Sequence, residues 1–203
     1  MNEIKIFGYS GHAYVCVEIA ELNNYIVRSY YDLQEKITNP YSLKYLGYIE
    51  NIVFNIPFFI AIGDNQSREI AYNYLKNKNS LFITLLHPKA IISKSVNIGI
   101  ASVVSVGVFL NRFVQIGTCC IINTGAIIGY ETKIGDFVHV APGVVVGNNV
   151  IIGSGTFIGA NSVIENGVKI ISNIIIGAGT VVVNDILVPG TYLGNPARLL
   201  IKN

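Results

Sequence analysis

An aliphatic side chain recurs at every sixth position through the second half of this chain, and this period limits the fold more than any other feature. Glycine often follows the aliphatic residue, and the position two residues before it is mostly small or β-branched. Such hexapeptides are typical of a parallel β-helix, in which three short extended sides close one coil and equivalent residues stack from coil to coil. The aliphatic positions are Leu86, Ile92, Ile98, Val104, Leu110, Ile116, Ile122, Ile128, Ile134, Val140, Val146, Ile152, Ile158, Ile164, Ile170, Ile176, Val182 and Val188.

The first half of the chain has a different pattern, in which apolar strands alternate with amphipathic helices. This alternation predicts a small Rossmann-like α/β unit whose ligands lie beyond the carboxyl ends of parallel strands. One face of the first predicted helix carries Val15, Ile19 and Leu22. The predicted elements are strands at residues 5–7, 25–31, 58–62 and 81–85 and helices at residues 13–22 and 67–75.

A glycine-containing turn at residues 8–12 joins the first strand to the first helix. Gly8 and Gly11 allow backbone N–H groups to approach a diphosphate at a helix N-terminus, and Ser10 and His12 can add hydrogen bonds. The turn lacks the full GxGxxG pattern, so a tight turn without a ligand is the alternative interpretation.

Charge and composition exclude several classes of protein. With 14 Lys and Arg against 12 Asp and Glu, the chain lacks the basic field of a nucleic-acid-binding protein. It shows neither an uninterrupted apolar span nor a signal-peptide pattern, so we expect a cytoplasmic protein without a membrane span. Its three cysteines form neither a metal-binding pair nor a disulfide framework, which indicates structural thiols in a reducing compartment.

Four segments together resemble one enzyme family: GYSGHAYV near the start, FFIAIGDNQSR in the middle, HPKAIIS at the junction, and NTGAII with IGDFVHVAPG in the repeat. Over nearly its whole length the chain is similar to the hexapeptide-repeat sugar acyltransferases of the PglD/NeuD type. These comprise the N-acetyltransferases of bacillosamine and perosamine synthesis and the sialic acid O-acetyltransferases. The closing GNPAR segment at residues 194–198 resembles that of left-handed β-helix acyltransferases.

This resemblance implies a nucleotide-sugar-binding domain at residues 1–85 and a left-handed parallel β-helix, ending with the GNPA segment, at residues 86–203. It also implies acetyl-CoA as co-substrate, a nucleotide-linked amino sugar as acceptor, no metal, and a homotrimer with active sites between neighbouring helices.

The resemblance further implies which residues hold the nucleotide. Family members often carry two successive acidic residues after the second strand, whereas here Leu33 follows Asp32, which leaves the nucleotide open. Asn65 and Arg68 are candidate helpers, and a solvated helix charge is the alternative for Arg68. The nucleotide-binding candidates are Ser10, Gly11, His12, Asp32 and Gly63.

The predicted catalytic segment departs from the family pattern. Tyr130 occupies the position of the family's base histidine, while Glu131 keeps its place. A tyrosine with an ordinary pKa of about 10 is a poor base at neutral pH. His139 corresponds to a second family histidine that contacts acetyl-CoA, and we take it as a candidate base; a polar residue of the coil is the alternative. Glu131, directly or through water, is the other candidate base, and an amine that arrives already neutral would need little help.

The pantetheine arm of acetyl-CoA is predicted to lie along two glycine-alanine pairs one coil apart, namely Gly159 with Ala160 and Gly177 with Ala178. Their small size makes a smooth edge, as the family's acetyl-CoA contacts imply, although ordinary corners of the coil have the same composition.

The leading hypothesis is therefore N-acetylation of a nucleotide-linked amino sugar in surface glycan synthesis. O-acetylation of a sialic acid-like sugar and a nucleotide-sugar-binding scaffold with weakened catalysis are the alternatives. A β-helical carbonic anhydrase is excluded, because it needs three histidine ligands and the repeat offers His87 and His139 alone.

Overall fold

A computed structural model describes residues 2–48 and 56–201 as an α/β unit packed against a parallel β-helix. Residues 1, 49–55, 202 and 203, which belong to the two predicted domains, lie outside this description. The α/β unit has a four-stranded parallel sheet of order β3-β2-β1-β4. Its elements are β1 Glu3–Phe7, α1 Gly11–Leu22, β2 Ile26–Tyr31, β3 Lys44–Tyr45, β4 Phe58–Ile60 and α2 Asn65–Asn77.

Two details of this unit differ from the sequence-based expectation. The strand predicted at residues 81–85 is reduced to a single bridge between Phe82 and Phe58, because Leu85 already belongs to the β-helix. The edge strand β3 was not predicted, since its two residues carry no periodic signal.

The β-helix has three sheets, in which strands one coil apart pair in parallel, as Ile116 does with Ile134. The predicted parallel β-helix is thereby confirmed. The eight-stranded sheet contains β5 Leu85–Leu86, β8 Val103–Val104, β11 Ile121–Ile122, β14 His139–Val140, β17 Phe157–Ile158, β20 Ile175–Ile176, β22 Thr191–Leu193 and the antiparallel β23 Arg198–Leu199. The six-stranded sheet contains β6 Ile91–Ile92, β9 Phe109–Leu110, β12 Ile127–Ile128, β15 Val145–Val146, β18 Val163–Ile164 and β21 Val181–Val182. The five-stranded sheet contains β7 Asn97–Ile98, β10 Gln115–Ile116, β13 Lys133–Ile134, β16 Ile151–Ile152 and β19 Lys169–Ile170.

The predicted aliphatic positions from Val104 to Val182 form the buried core, but the frame changes in the last coil. Val188 is 54% exposed, and Ile186 is buried in its place and bridges to Ile170. The prediction for Val188 is therefore wrong. The next strand pairs Thr191 with Ile175, so this coil is two residues shorter than the repeat.

The α/β unit docks on the eight-stranded sheet through the small residues of α1. Ala13 and Cys16 are fully buried in one cluster with Val103 and Ile121 of the β-helix. Small side chains allow the helix to lie close to both the parallel sheet and the β-helix. The predicted face of α1 is accordingly wrong except for Ile19, because Val15 and Leu22 are 38% and 48% exposed.

The outward rows of the three β-helix sheets differ in chemistry. The five-stranded sheet presents mainly polar side chains, whereas the eight-stranded sheet is covered by the α/β unit at its first coils and carries His139 beyond it. The six-stranded sheet presents an entirely apolar row, which consists of Ile91, Phe109, Ile127, Val145, Val163 and Val181. We call it the apolar row.

Candidate functional site

A cavity of about 480 Å³ opens at the carboxyl ends of β1, β2 and β4. This is where a parallel sheet of this kind binds its ligands. Of the predicted nucleotide-binding residues, Ser10, Asp32 and Gly63 line this cavity, together with apolar side chains that include Leu33 and Ile70. We call it the nucleotide cavity.

The two helix N-termini near this cavity differ in how they are capped. Ser10 is the N-cap of α1, but its side chain makes no capping hydrogen bond. Asp64 caps α2 by accepting a 2.8 Å hydrogen bond from the Ser67 N–H. Hydrogen bonds from the Ser67 side chain and N–H lower the pKa of the Asp64 carboxyl. Because a carboxylate already occupies the end of α2, the end of α1 is the more suitable place for a phosphate.

Two of the predicted binding glycines have no structural need to be glycine. A Cβ atom at Gly11 or Gly63 would meet nothing within 4 Å, and neither residue has a positive φ. Gly8, by contrast, has a φ of +87°, and a Cβ there would lie 2.6 Å from the Ile62 side chain. Gly8 therefore serves the turn, whereas bare backbone at Gly11 and Gly63 leaves room for a ligand.

Asp32 is tied into the glycine turn. One of its carboxylate oxygens accepts a 2.7 Å hydrogen bond from the Tyr9 N–H, and the other lies 2.9 Å from Lys36 Nζ. The carboxylate thus holds the turn in place, and it lines the cavity where a ribose hydroxyl can reach it.

A second, larger cavity of about 840 Å³ lies between the start of α2 and the eight-stranded sheet. His139, Phe157 and Ile175 line its β-helix side, and Gly63 and Asp64 line both cavities. We call it the transfer cavity. The sequence did not point to Phe157, whose ring packs edge-on against His139 at 5.1 Å between centroids, because it occupies an ordinary outward position of the repeat.

His139 has a defined tautomer. Its Nδ1 lies 3.2 Å from the carbonyl oxygen of Gly63, which can only accept, so Nδ1 carries the proton and Nε2 carries the lone pair when the ring is neutral. Nε2 is buried and has no hydrogen-bond partner among the described residues. Burial and then the charge of Arg68 lower the pKa of His139 to about 4, which keeps the ring neutral at pH 7.

His12 lies beside His139 rather than in the lining of the nucleotide cavity. Their ring centroids are 6.4 Å apart, and His12 Nε2 is 3.5 Å from the Cys16 sulfur. Burial, followed by the charges of His139 and Arg68, lowers the pKa of His12 to about 4. The structure therefore joins His12, Gly63 and His139, which lie far apart in sequence.

Tyr130 and Glu131 are not brought to this place within one chain. They lie at the corner between β12 and β13, which joins the six- and five-stranded sheets. In a three-sided coil this corner is opposite the eight-stranded sheet that carries His139. Both residues are exposed, and the Tyr130 N–H bonds to Asn148 of the next coil.

The predicted pantetheine edge lies at the corner between the eight- and six-stranded sheets. A Cβ at Gly159 would lie 2.5 Å from the backbone nitrogen of Ala178, and one at Gly177 would collide with Leu193. Gly135, on another side of the coil, is equally restricted by Ser154. Close stacking of coils thus accounts for these glycines, while Ala160 is half-buried and Ala178 is exposed.

Arg68 is not a solvated helix charge, because it is only 1% exposed. Its guanidinium bonds to backbone carbonyls of both units, and Asn65 Nδ2 donates a 2.9 Å hydrogen bond to Gly155 of the β-helix. Side-chain patterns do not reveal this role, since four of the five acceptors are main-chain carbonyls. Across residues 2–48 and 56–201 there is no cluster of three or more His, Cys, Asp or Glu side chains that could hold a metal, and no helix is long and apolar enough to cross a membrane.

Comparison with known proteins supports the resemblance found in the sequence. Residues 3–75 match the model of the PglD N-terminal domain, and residues 131–160 match that of the bacterial transferase hexapeptide. The chain is similar to a histidine-to-asparagine variant of perosamine N-acetyltransferase from Caulobacter crescentus, solved with CoA and GDP-perosamine. The two share 28% identity with a TM-score of 0.92, over 100% of this chain and 98% of that one. The acetyltransferase domain of PglB from Neisseria gonorrhoeae, solved with acetyl coenzyme A, is 25% identical with a TM-score of 0.92, over 98% of this chain and 99% of that one.

Proposed function

We propose that this chain, which joins a PglD-type N-terminal domain to a hexapeptide β-helix, is an acetyl-CoA-dependent N-acetyltransferase of nucleotide-linked amino sugars in cytoplasmic steps of surface glycan synthesis. One observation carries the proposal: the nucleotide cavity and the transfer cavity share Gly63 and Asp64. A sugar whose nucleotide is held in the first cavity can therefore extend its amine into the second, beside His139.

The two units bind different substrates. Residues 1–85 bind the nucleotide, with the diphosphate at the uncapped N-terminus of α1 formed by Ser10 and Gly11, and the ribose near Asp32. Residues 86–203 bind acetyl-CoA along the eight-stranded sheet. GDP-perosamine, with which the Caulobacter relative was solved, is the model for the class of acceptor.

The chemistry follows from the state of His139. The acceptor amine attacks the thioester carbonyl, the carbon–sulfur bond breaks, and the products are an amide and the CoA thiol. The amine loses one proton and the departing sulfur gains one, so a single group can move it. Nε2 of His139, neutral at pH 7 and without a hydrogen-bond partner among the described residues, is suited to accept this proton and return it.

We also propose a homotrimer built on the apolar row. Ile91 and Ile127 in this row are 64% and 44% exposed, and a contiguous apolar strip of this kind is characteristic of an interface. In such a trimer, three β-helices pack with their apolar rows toward a common axis. The Tyr130 corner of one subunit would then lie beside the edge of the next subunit that carries Gly159 and Gly177. Tyr130 and Glu131 would then complete the transfer cavity of a neighbouring subunit.

An assay of thiol release from acetyl-CoA tests the function, with a panel of GDP-, UDP- and TDP-linked 4-amino sugars and free sialic acids as acceptors. We expect turnover with an amino sugar and a product whose acetyl group resists hydroxylamine, as an amide does. Turnover with sialic acid and a hydroxylamine-labile product would favour O-acetylation. Binding of nucleotide sugar without thiol release would favour the scaffold.

A further inference from the structure

Arg68 is a buried charge that takes no direct part in the proposed transfer. All five of its N–H donors are satisfied, and no carboxylate is among the acceptors. Neutral oxygens from the α/β unit and from the β-helix surround the guanidinium instead. The bonds run from Nε to the Cys119 carbonyl at 2.9 Å, from Nη1 to the carbonyls of Ile62 at 3.1 Å and Gly63 at 2.9 Å, and from Nη2 to Asn65 Oδ1 at 2.8 Å and the Phe137 carbonyl at 2.9 Å.

The Gly63 carbonyl is the link between Arg68 and His139. It accepts from Arg68 Nη1 and from His139 Nδ1, one bond for each lone pair of the oxygen. The first bond fixes where the oxygen points, and the second decides which nitrogen of His139 carries the proton. No packing at the missing side chain restrains this peptide, because a Cβ built at Gly63 would meet nothing within 4 Å. If the peptide rotated, this control over His139 would be lost.

Arg68 also fixes the His139 side of the hydrogen bond between Gly63 and His139. The carbonyl of Phe137, two residues before His139, accepts from Nη2, and that of Cys119, one coil earlier, accepts from Nε. One planar group therefore fixes the loop that presents the Gly63 carbonyl and the corner from which the His139 strand starts. A lysine has neither the planar fork nor five donors.

We propose that Arg68 is a positioning residue for the transfer reaction: it fixes the Gly63 carbonyl and thereby leaves Nε2 of His139 as the proton-accepting nitrogen. This inference rests on the proposed function for its catalytic consequence. Its structural part, the tautomer of His139, can be measured without any substrate.

The charges around His139 agree with this role. Arg68 on α2 acts on it through its charge, Asp64 at the N-cap of α2 and Glu69 on α2 line the same cavity, and His12 lies beside it on α1. Burial and the charge of Arg68 lower the pKa of His139, so the neutral ring, for which a tautomer exists, is the form present at pH 7.

Nitrogen-15 NMR of histidine-labelled protein tests the structural part. The chain has three histidines, and His87 is an internal control, because its Nδ1 accepts from the Lys89 N–H and its neutral ring must carry the proton on Nε2. At pH 7 we expect the parent to show the opposite tautomers for His139 and His87. Arg68→Lys should convert His139 to a mixture and leave His87 unchanged, and Arg28→Lys, an exposed site on β2, should change neither.

Kinetics test the catalytic part. Arg68→Lys should lower kcat about tenfold or more while the KM for acetyl-CoA stays within about threefold, because a misplaced base slows the chemical step more than binding. If Arg68→Lys does not fold, Arg68→Gln, which keeps a planar donor head, takes its place. A folded variant with an unchanged His139 tautomer and unchanged kcat overturns the proposal. A parent that releases no thiol overturns the proposed function instead, and the NMR result still decides whether Arg68 controls His139.

Discussion

The eight-stranded and six-stranded sheets of the β-helix have the same inward aliphatic pattern, yet their outward rows differ. On the first, His139 stands between Ile121, buried under α1, and Phe157, which lines the transfer cavity. On the second, every outward residue is apolar, and the row has no covering element among the described residues. The repeat therefore specifies the coil, while the residue just before each inward aliphatic side chain decides what a face does. We assign chemistry to the first face and assembly to the second.

Replacement of His139 on the chemical face should have the largest effect. His139→Ala should lower kcat by about 10² to 10⁴, the usual contribution of a general base, and leave the trimer intact. In the parent, kcat should be constant between about pH 6 and 8 and fall only as the pH approaches about 4, because the lowered pKa keeps Nε2 unprotonated above that value. Equal kcat values for parent and variant would remove His139 from the reaction.

A charge on the assembly face should have the next largest effect. Ile127→Glu places a carboxylate in the apolar row of each subunit, which is unfavourable when the row is buried. We expect monomers in light scattering and a loss of thiol release of about 10². Lys133→Glu on the five-stranded sheet is the matched control and should stay trimeric and active. A monomeric parent, or a trimeric and active Ile127→Glu variant, would contradict the assignment of this face.

A substitution in the nucleotide cavity should affect binding of the nucleotide sugar without affecting acetyl-CoA. Gly11→Val adds a side chain where the free structure has open space, so folding should be unaffected, but the diphosphate would meet it. The KM for the nucleotide sugar should rise about tenfold, with the KM for acetyl-CoA unchanged. Unchanged affinity for the nucleotide sugar in calorimetry would show that the diphosphate binds elsewhere.

The smallest effect is expected at Tyr130. A tyrosine that is not a base would do no more than line the site of the neighbouring subunit, so Tyr130→Phe should lower kcat by less than about threefold. The kcat of Glu131→Gln should lie between those of Tyr130→Phe and His139→Ala. Tyr130→His restores the histidine of the family pattern at this position. A sharp rise in kcat for that variant would identify position 130 as the place of a lost base. The residues at the subunit interface would then take part in the reaction.

The sequence predicted the β-helix because each coil repeats the same local requirement, an inward aliphatic residue and a small corner. It failed at Val188, where the last coil is two residues shorter and Ile186 takes the inward position. The face of α1 was also missed, since a helix packed on both sides by neighbours uses small residues such as Ala13 and Cys16, which have little amphipathic contrast.

The candidate site was predictable only in part. Resemblance located Gly63 and His139, but nothing in the spacing of residues 76 positions apart shows that they share a hydrogen bond. The role of Arg68 was invisible for a similar reason, because its partners are carbonyl oxygens that every residue type possesses. Tertiary contacts to the main chain leave no trace in side-chain patterns.

The most direct test of the account is a crystal structure of the His139→Ala variant with CoA and the best nucleotide-linked amino sugar of the panel. We expect the diphosphate at the N-terminus of α1, the nucleotide in the nucleotide cavity, and the sugar amine within about 3.5 Å of the position that His139 Nε2 occupies in the parent. A nucleotide bound in this cavity with its sugar directed away from position 139, or one bound outside the cavity, would contradict the account.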